Sequence, residues 1–180
     1  MRTKFGGTRP TLRRAPVKID YEELLARNPA LMASAFWHVA HRHAGKAKGA
    51  PPILPMFIVS AAMLLHRATV NKIHAMQFDS GMLKAVVERP DLLAGLQGRM
   101  EAHADTALKA LQVGVASGLL IREGGEGFPR FRAMNGSDLP LAIRDLNPPV
   151  SYVFSAAKRL GSWFALDGFE AVQRQLNIEF

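Results

Sequence analysis

Three histidines stand close together in the stretch WHVAHRHAG, at positions 38, 41 and 43. His38 and His41 are three residues apart, so on a helix they would share one face and could hold a metal ion together. His43 falls on another face, and no carboxylate lies nearby to complete the ligand set. We therefore interpret the cluster as a weakly basic helix end, and we expect neither a metal nor a cofactor.

Other groups capable of catalysis are scattered. The glycine-rich stretch REGGEGFPR (122–130) lacks the lysine and hydroxyl of a phosphate loop, and its acids would repel phosphate; it is typical of a hairpin turn. The chain has no cysteine, no nucleophilic serine motif and no HExxH motif. We predict no catalytic residue and no enzyme activity.

Positive charge is the strongest compositional signal. The net charge is +8, and residues 1–18 contain six lysines and arginines without one acid. Glycine and proline in the same segment predict a flexible basic arm over residues 1–19, which could hold nucleic acid or an acidic partner, or could be a solubilising leader without a target. The candidate residues for contact with DNA or a partner are Arg9, Arg13, Arg14, Lys46, Lys48, Arg130 and Arg132.

Trp163 and Phe164 stand side by side in SYVFSAAKRLGSWFAL. On a helix, Phe164 would share a face with apolar residues one and two turns earlier, and Trp163 would lie one step round. Gly161 removes a side chain where a second helix could approach closely. We interpret the aromatic pair as a core or interface anchor rather than as a ligand-stacking site.

The apolar periodicity predicts a mainly α protein, a single helical domain over residues 20–180 with one β-hairpin, whose central part is compatible with a winged helix. Asp20 and Asn28 are expected to cap the first two helices, and Asp79 or Ser80 a later one. Pro90 is expected to open the longest helix, over 91–117. Two short strands are expected around a turn at 123–127, and a loop over 134–149. The face expected to be apolar in the longest helix comprises Leu92, Leu96, Met100, Ala104, Leu108, Leu111 and Val115.

Four stretches carry a resemblance to a known family: NPALMASAFW, PILPMFIVSAAMLLHRAT, RPDLLAGLQGRM and AAKRLGSWFA. Together they resemble the middle component of the ABC-three-component systems, found in bacterial anti-phage and anti-plasmid defence operons of the Lamassu type. The resemblance spans about residues 28–178, and its LLHxxT and LGxWFA pieces are the most specific. It implies an adaptor without catalysis, which joins an SMC-like ABC ATPase to a toxic effector, often a nuclease.

We therefore expect an adaptor subunit that restrains the effector until foreign DNA is sensed, with DNA contacted through the complex. The alternative is a free-standing winged-helix DNA-binding regulator; a small enzyme is the weakest interpretation. The longest apolar run, residues 53–65, is thirteen residues and is shorter than a membrane span of about 20 residues. With no secretory signal recognised, we expect a cytoplasmic protein that does not contact the membrane.

Overall fold

The computed structural model describes residues 20–134 and 148–180. The described chain is mainly helical with one two-stranded antiparallel hairpin, which confirms the expected fold class. Short 3-10 turns at Phe78–Ser80 and Pro90–Leu92 connect some of the helices. In chain order the elements are α1 (Tyr21–Ala26), α2 (Pro29–Lys46), α3 (Leu54–Leu64), α4 (Arg67–Ala75), α5 (Gly81–Glu88), α6 (Leu96–Ala116), β1 (Leu120–Glu123), β2 (Arg130–Ala133), α7 (Val150–Asp167) and α8 (Phe169–Leu176). The arm predicted over residues 1–19 and most of the loop predicted over 134–149 lie outside the described residues.

The pair α2–α7 makes the most extensive contact between two helices of the described chain. The two backbones approach closely at Gly161, where an added Cβ would stand 2.3 Å from the carbonyl oxygen of Val39. No side chain other than the glycine hydrogen fits at this point. The close helix approach expected at Gly161 is therefore confirmed, and its neighbour across the contact is α2.

Helix α3 is the centre of the core. It is apolar on all sides, and only Leu54 and Ile58 among its residues are not fully buried. It packs against α6 and α7, and the Tyr21 hydroxyl of α1 donates a hydrogen bond to the Leu64 carbonyl oxygen at 2.9 Å. A helix that is apolar all round must be covered on every side, so the other elements are arranged around it.

The helix ends show which caps the sequence predicts correctly. The Asp20 carboxylate accepts from the Glu22 amide, and the Asn28 side chain accepts from the Leu31 amide, as expected. For α5, by contrast, neither Asp79 nor Ser80 supplies a side-chain cap. The Asp167 carboxylate at the end of α7 accepts from the Met82 amide at 2.9 Å, so the cap of α5 comes from a residue distant in the sequence.

The longest helix begins later than expected and presents a different face. Gly95 adopts a left-handed conformation (φ +65°), which ends the turn at Pro90–Leu92 and delays α6 to Leu96. Leu108 and Val115, expected in the core, are 42% and 38% exposed. The reason is that the residues of the expected face recur mostly every four positions, whereas a helical turn has 3.6 residues, so the later ones turn away from the core. The residues of α6 that are buried are Leu96, Met100, Ala107, Ala110, Leu111 and Gly114.

The hairpin joins the helical body through β2. Leu120 pairs with Ala133 and Glu123 with Arg130 across the two strands. On the other side of β2, Ile53 forms an isolated antiparallel bridge with Arg130 just before α3 begins. The expected hairpin is confirmed, and β1 is its outer strand.

No single helix in the described residues has both the length and the apolar character needed to cross a membrane. Helices α3 and α4 reach that threshold only when taken together, and they are bent by 102° to each other.

Gly161→Ala is predicted to destabilise the protein by about 1–3 kcal/mol or more, because the new methyl group meets the α2 backbone rather than a movable side chain. Gly98→Ala on α6 is the matched control, since nothing lies within 4 Å of its Cβ position. It should stabilise the protein by about 0.5–1 kcal/mol through helix propensity. Urea unfolding of both variants measures the difference, and equal stability of Gly161→Ala and wild type would contradict the close contact.

Candidate cationic contact surface

The two helices that pack most closely also concentrate cationic side chains on their polar side. Helix α2 contains no acid, and the only acid of α7 is Asp167, whose carboxylate caps α5. Together the two helices form the surface that we call the α2–α7 surface. It comprises Trp37, His38, His41, Arg42 and Lys46 from α2 and Lys158 and Arg159 from α7.

His38 lies at the centre of this surface. Its ring is half-buried against the Phe154 ring, with 5.1 Å between centroids. Burial, and to a smaller extent the nearby charges of Lys158, His41 and Arg42, together lower the pKa of His38 to about 3. His38 is therefore neutral near pH 7 and serves as a packing residue surrounded by cations.

Lys158 shows that the positive charge is not compensated. Burial is the main cause that lowers the pKa of Lys158, and the positive charges of Arg42 and Arg159 lower it in the same direction. Both charged groups that act on this ammonium are cations. An anion brought to the surface would relieve this repulsion.

Phe78 fixes the two arginines. Its ring lies 4.3 Å from the guanidinium carbon of Arg159 and 5.6 Å from that of Arg42. Arg159 also donates to the Met76 carbonyl oxygen and to Ser155, so its role is to hold the turn before α5. Arg42 is exposed, and the described residues supply no carboxylate partner for it, so its donors are available to a ligand.

An aromatic stack borders the cations. The His41 ring lies flat on the Trp37 indole, with 4.8 Å between centroids and 11° between planes. The Trp37 Nε1 donates to the Met134 carbonyl oxygen, which fixes the indole. Because His41 is exposed, the pair presents a flat aromatic surface beside Arg42.

The cations singled out from the sequence fall into two groups. Lys46 forms an exposed ion pair with Asp79 at 3.2 Å, and Arg132 pairs with Glu123 and donates to the Gly49 carbonyl oxygen at 2.8 Å. Lys48 and Arg130 are exposed and form no ion pair with other described residues. Of these four residues, only Lys46 belongs to the α2–α7 surface. Arg9, Arg13 and Arg14 lie outside the described residues.

Lys158 and Arg159 were missed as contact residues because a single helix shows only that they avoid its apolar face. The available signal was that α2 contains no acid and that α7 contains none before its last residue, Asp167. Ser162 of the same helix is buried and donates to the Lys158 carbonyl oxygen at 3.2 Å.

The three histidines do not converge. His38 packs on Phe154, His41 on Trp37, and His43 is buried with its Nδ1 2.9 Å from the Ala50 carbonyl oxygen. His43 is thus not solvated, as a basic helix end would be. Within residues 20–134 and 148–180, no group of three or more metal-ligating side chains is placed to hold a metal ion.

The comparison with protein families decides the assignment. A family model described as the ABC-three component (ABC-3C) system Middle Component 3 matches residues 17–180. The chain belongs to this family. No curated protein and no solved structure shows a significant match to the chain.

The aromatic pair of this middle component lies in the core. Trp163 and Phe164 are both 0% exposed. The Trp163 Nε1 donates to the Phe78 carbonyl oxygen at 3.0 Å, so the indole joins α7 to the turn before α5. The sequence left open whether the pair is a core anchor or an interface anchor, and in the described chain it lies in the core.

Trp163→Ala is predicted to cost about 3–5 kcal/mol of stability, because it removes the largest fully buried side chain and leaves the Phe78 carbonyl without its donor. This is a large part of a typical total of roughly 5–15 kcal/mol. Leu166→Ala, 52% exposed on the same helix, is the control and should change stability by less than about 0.5 kcal/mol. An unchanged melting temperature of isolated Trp163→Ala would be incompatible with a core role.

The stability of the protein is predicted to fall as the pH is lowered, because of His38. Its pKa is lowered from 6.5 to about 3 in the folded protein, so below about pH 6.5 the unfolded chain binds a proton that the native state does not. Between about pH 6.5 and 5 the loss from His38 is about 1.6 kcal/mol. His38→Gln should remove that part of the loss in urea unfolding at the two pH values. If His38→Gln lost as much unfolding free energy as the wild type between these pH values, the low pKa of His38 in the folded protein would be refuted.

Proposed function

We propose that this middle component is a non-catalytic adaptor of an ABC-3C defence complex, which works in the cytoplasm. It links an SMC-like ABC ATPase to a toxic effector, often a nuclease, and restrains the effector until foreign DNA is sensed. The observation that carries the proposal is the family match over residues 17–180, since membership in a three-component system implies partner components.

Exposed apolar side chains support a role in assembly. Leu83 and Val87 are one turn apart on α5 and are 56% and 72% exposed. A second apolar region, a groove of about 440 Å³, lies between α6 and the hairpin and is lined by Leu108, Val115 and Phe131, among others. Apolar surface of this kind is characteristic of faces that a partner covers. We propose the α5 face as the ATPase contact to be tested first, since its apolar side chains are the more exposed.

The alternative of a winged-helix DNA-binding regulator has one observation in its favour, the Ile53 bridge that extends the hairpin immediately before α3. The helix before the hairpin is α6, which would be the reading helix in that arrangement. Its solvent face carries Glu101 and Asp105, and Lys109, one turn further along that face, is paired with Asp105 at 2.6 Å. Acids on that face would repel DNA phosphates, so the adaptor is the better-supported proposal.

Co-expression of the full chain with the products of its two neighbouring genes is predicted to give a stable complex with the ATPase, with an interface above about 1,000 Å². Affinity purification followed by gel filtration measures the assembly. A lone monomer that ignores the ATPase would rule out the adaptor. A dimer that binds a defined duplex without partners would support the regulator instead.

Two double variants locate the contact. Leu83→Ser with Val87→Ser should weaken the complex at least tenfold, because it removes the apolar contact area of α5. Leu108→Ser with Val115→Ser is the matched control and should leave ATPase binding within about twofold. If the α6 double variant weakened ATPase binding and the α5 double variant did not, the ATPase contact would lie at the α6 groove, and the adaptor role itself would be unaffected.

A further inference from the structure

We propose that the α2–α7 surface binds single-stranded nucleic acid, with Arg42 and Lys158 on the phosphates and the Trp37–His41 stack under a base. The inference concerns this subunit alone and does not depend on the adaptor role. Its basis is the juxtaposition of uncompensated cations with an exposed, flat aromatic pair.

The charge of the surface fits a polyanion. The one carboxylate of α2 and α7 is Asp167, which is engaged with the Met82 amide, and the neighbouring Asp79 is paired with Lys46. Asp79 therefore offsets the charge of Lys46, whereas Arg42 and Lys158 have no carboxylate partner among the described residues. Lys158 stands close enough to Arg42 for their charges to act on each other. Two adjacent cations can contact neighbouring phosphates of a strand.

Arg42 is the residue best prepared to contact a phosphate. Its guanidinium lies 5.6 Å from the centre of the Phe78 ring, which restrains the side chain while leaving it exposed. A planar guanidinium can donate two parallel hydrogen bonds to one phosphate. Lys158 is half-buried beside it, so its ammonium is already partly desolvated and loses less hydration when an anion binds.

The aromatic pair distinguishes a nucleic-acid strand from an acidic protein segment. An acidic segment would match the charge but would make no use of a flat ring surface. Unpaired bases stack on exposed aromatic rings, as in other proteins that bind single strands. The Trp37 indole is fixed through Met134, and the exposed His41 ring is stacked nearly parallel to it. A base placed on His41 would extend the stack next to Arg42.

The test uses the full chain and a fluorescein-labelled oligothymidylate of about 20 nucleotides, a length that exceeds a typical single-strand binding site. Fluorescence anisotropy between about 50 and 200 mM salt gives the affinity and its salt slope. Arg42→Gln with Lys158→Gln should lower affinity at least about tenfold and reduce the slope by roughly 1.4, for two lost phosphate contacts.

Arg89→Gln with Arg122→Gln is the matched control, because it removes the same charge from exposed positions outside the surface. Its affinity should stay within about twofold of wild type. Equal losses in the two double variants would show a general charge effect and overturn the site. Retention of wild-type affinity and slope by Arg42→Gln with Lys158→Gln would overturn it as well.

Stacking is tested separately. His41→Ser should lower affinity at least about fivefold, and binding of the oligonucleotide to wild type should quench the emission of Trp37 but not that of buried Trp163. Trp163→Phe, which keeps a buried aromatic ring, isolates the Trp37 signal. Binding without quenching, equal binding of a duplex, or equally strong competition by polyglutamate would each overturn the proposal. If the double variant Arg42→Gln and Lys158→Gln still co-purifies with the ATPase as the wild type does, the nucleic-acid site is distinct from the surface that contacts the ATPase.

Discussion

The backbone contact between α2 and α7 is the constraint on which the rest of the structure depends. At Gly161 the only substituent is hydrogen, and a Cβ there would stand 2.3 Å from the Val39 carbonyl oxygen. The two helices can pack at this distance only because the position lacks a side chain. Their contact places Trp163 against the turn at Phe78 and Asp167 at the first turn of α5. One missing side chain thereby sets the position of the elements between α4 and α5.

The same contact determines the electrostatics of the surface. Side chains that avoid the core on α2 and on α7 must emerge side by side, and both helices carry cations there without acids. The lowered pKa values of His38 and Lys158 are a consequence of that arrangement, because burial and neighbouring cations both disfavour the charged form. Such a surface costs folding energy unless an anion binds, which is why we assign it a role in binding rather than in stability.

The middle-component assignment and the geometry bear on different parts of the molecule. Family membership applies to nearly the whole chain and implies partner components, while the geometry concerns single faces: Leu83 and Val87 are exposed apolar side chains on α5, and α2 carries exposed cations. The acidic solvent face of α6 gives a third surface with the opposite charge.

The sequence by itself determined the helix order, the hairpin, the caps at Asp20 and Asn28 and the close approach at Gly161, because periodicity, capping and glycine are local signals. It also carried the family, through the stretches that resemble it. Only the tertiary structure decided that Asp167 caps α5, that Gly95 delays α6, and that Leu108 and Val115 face a groove. It alone brought Arg42 and Lys158 together. These features depend on which distant segments pack together, and the spacing of residues along one helix shows which face is buried but not which segment covers it.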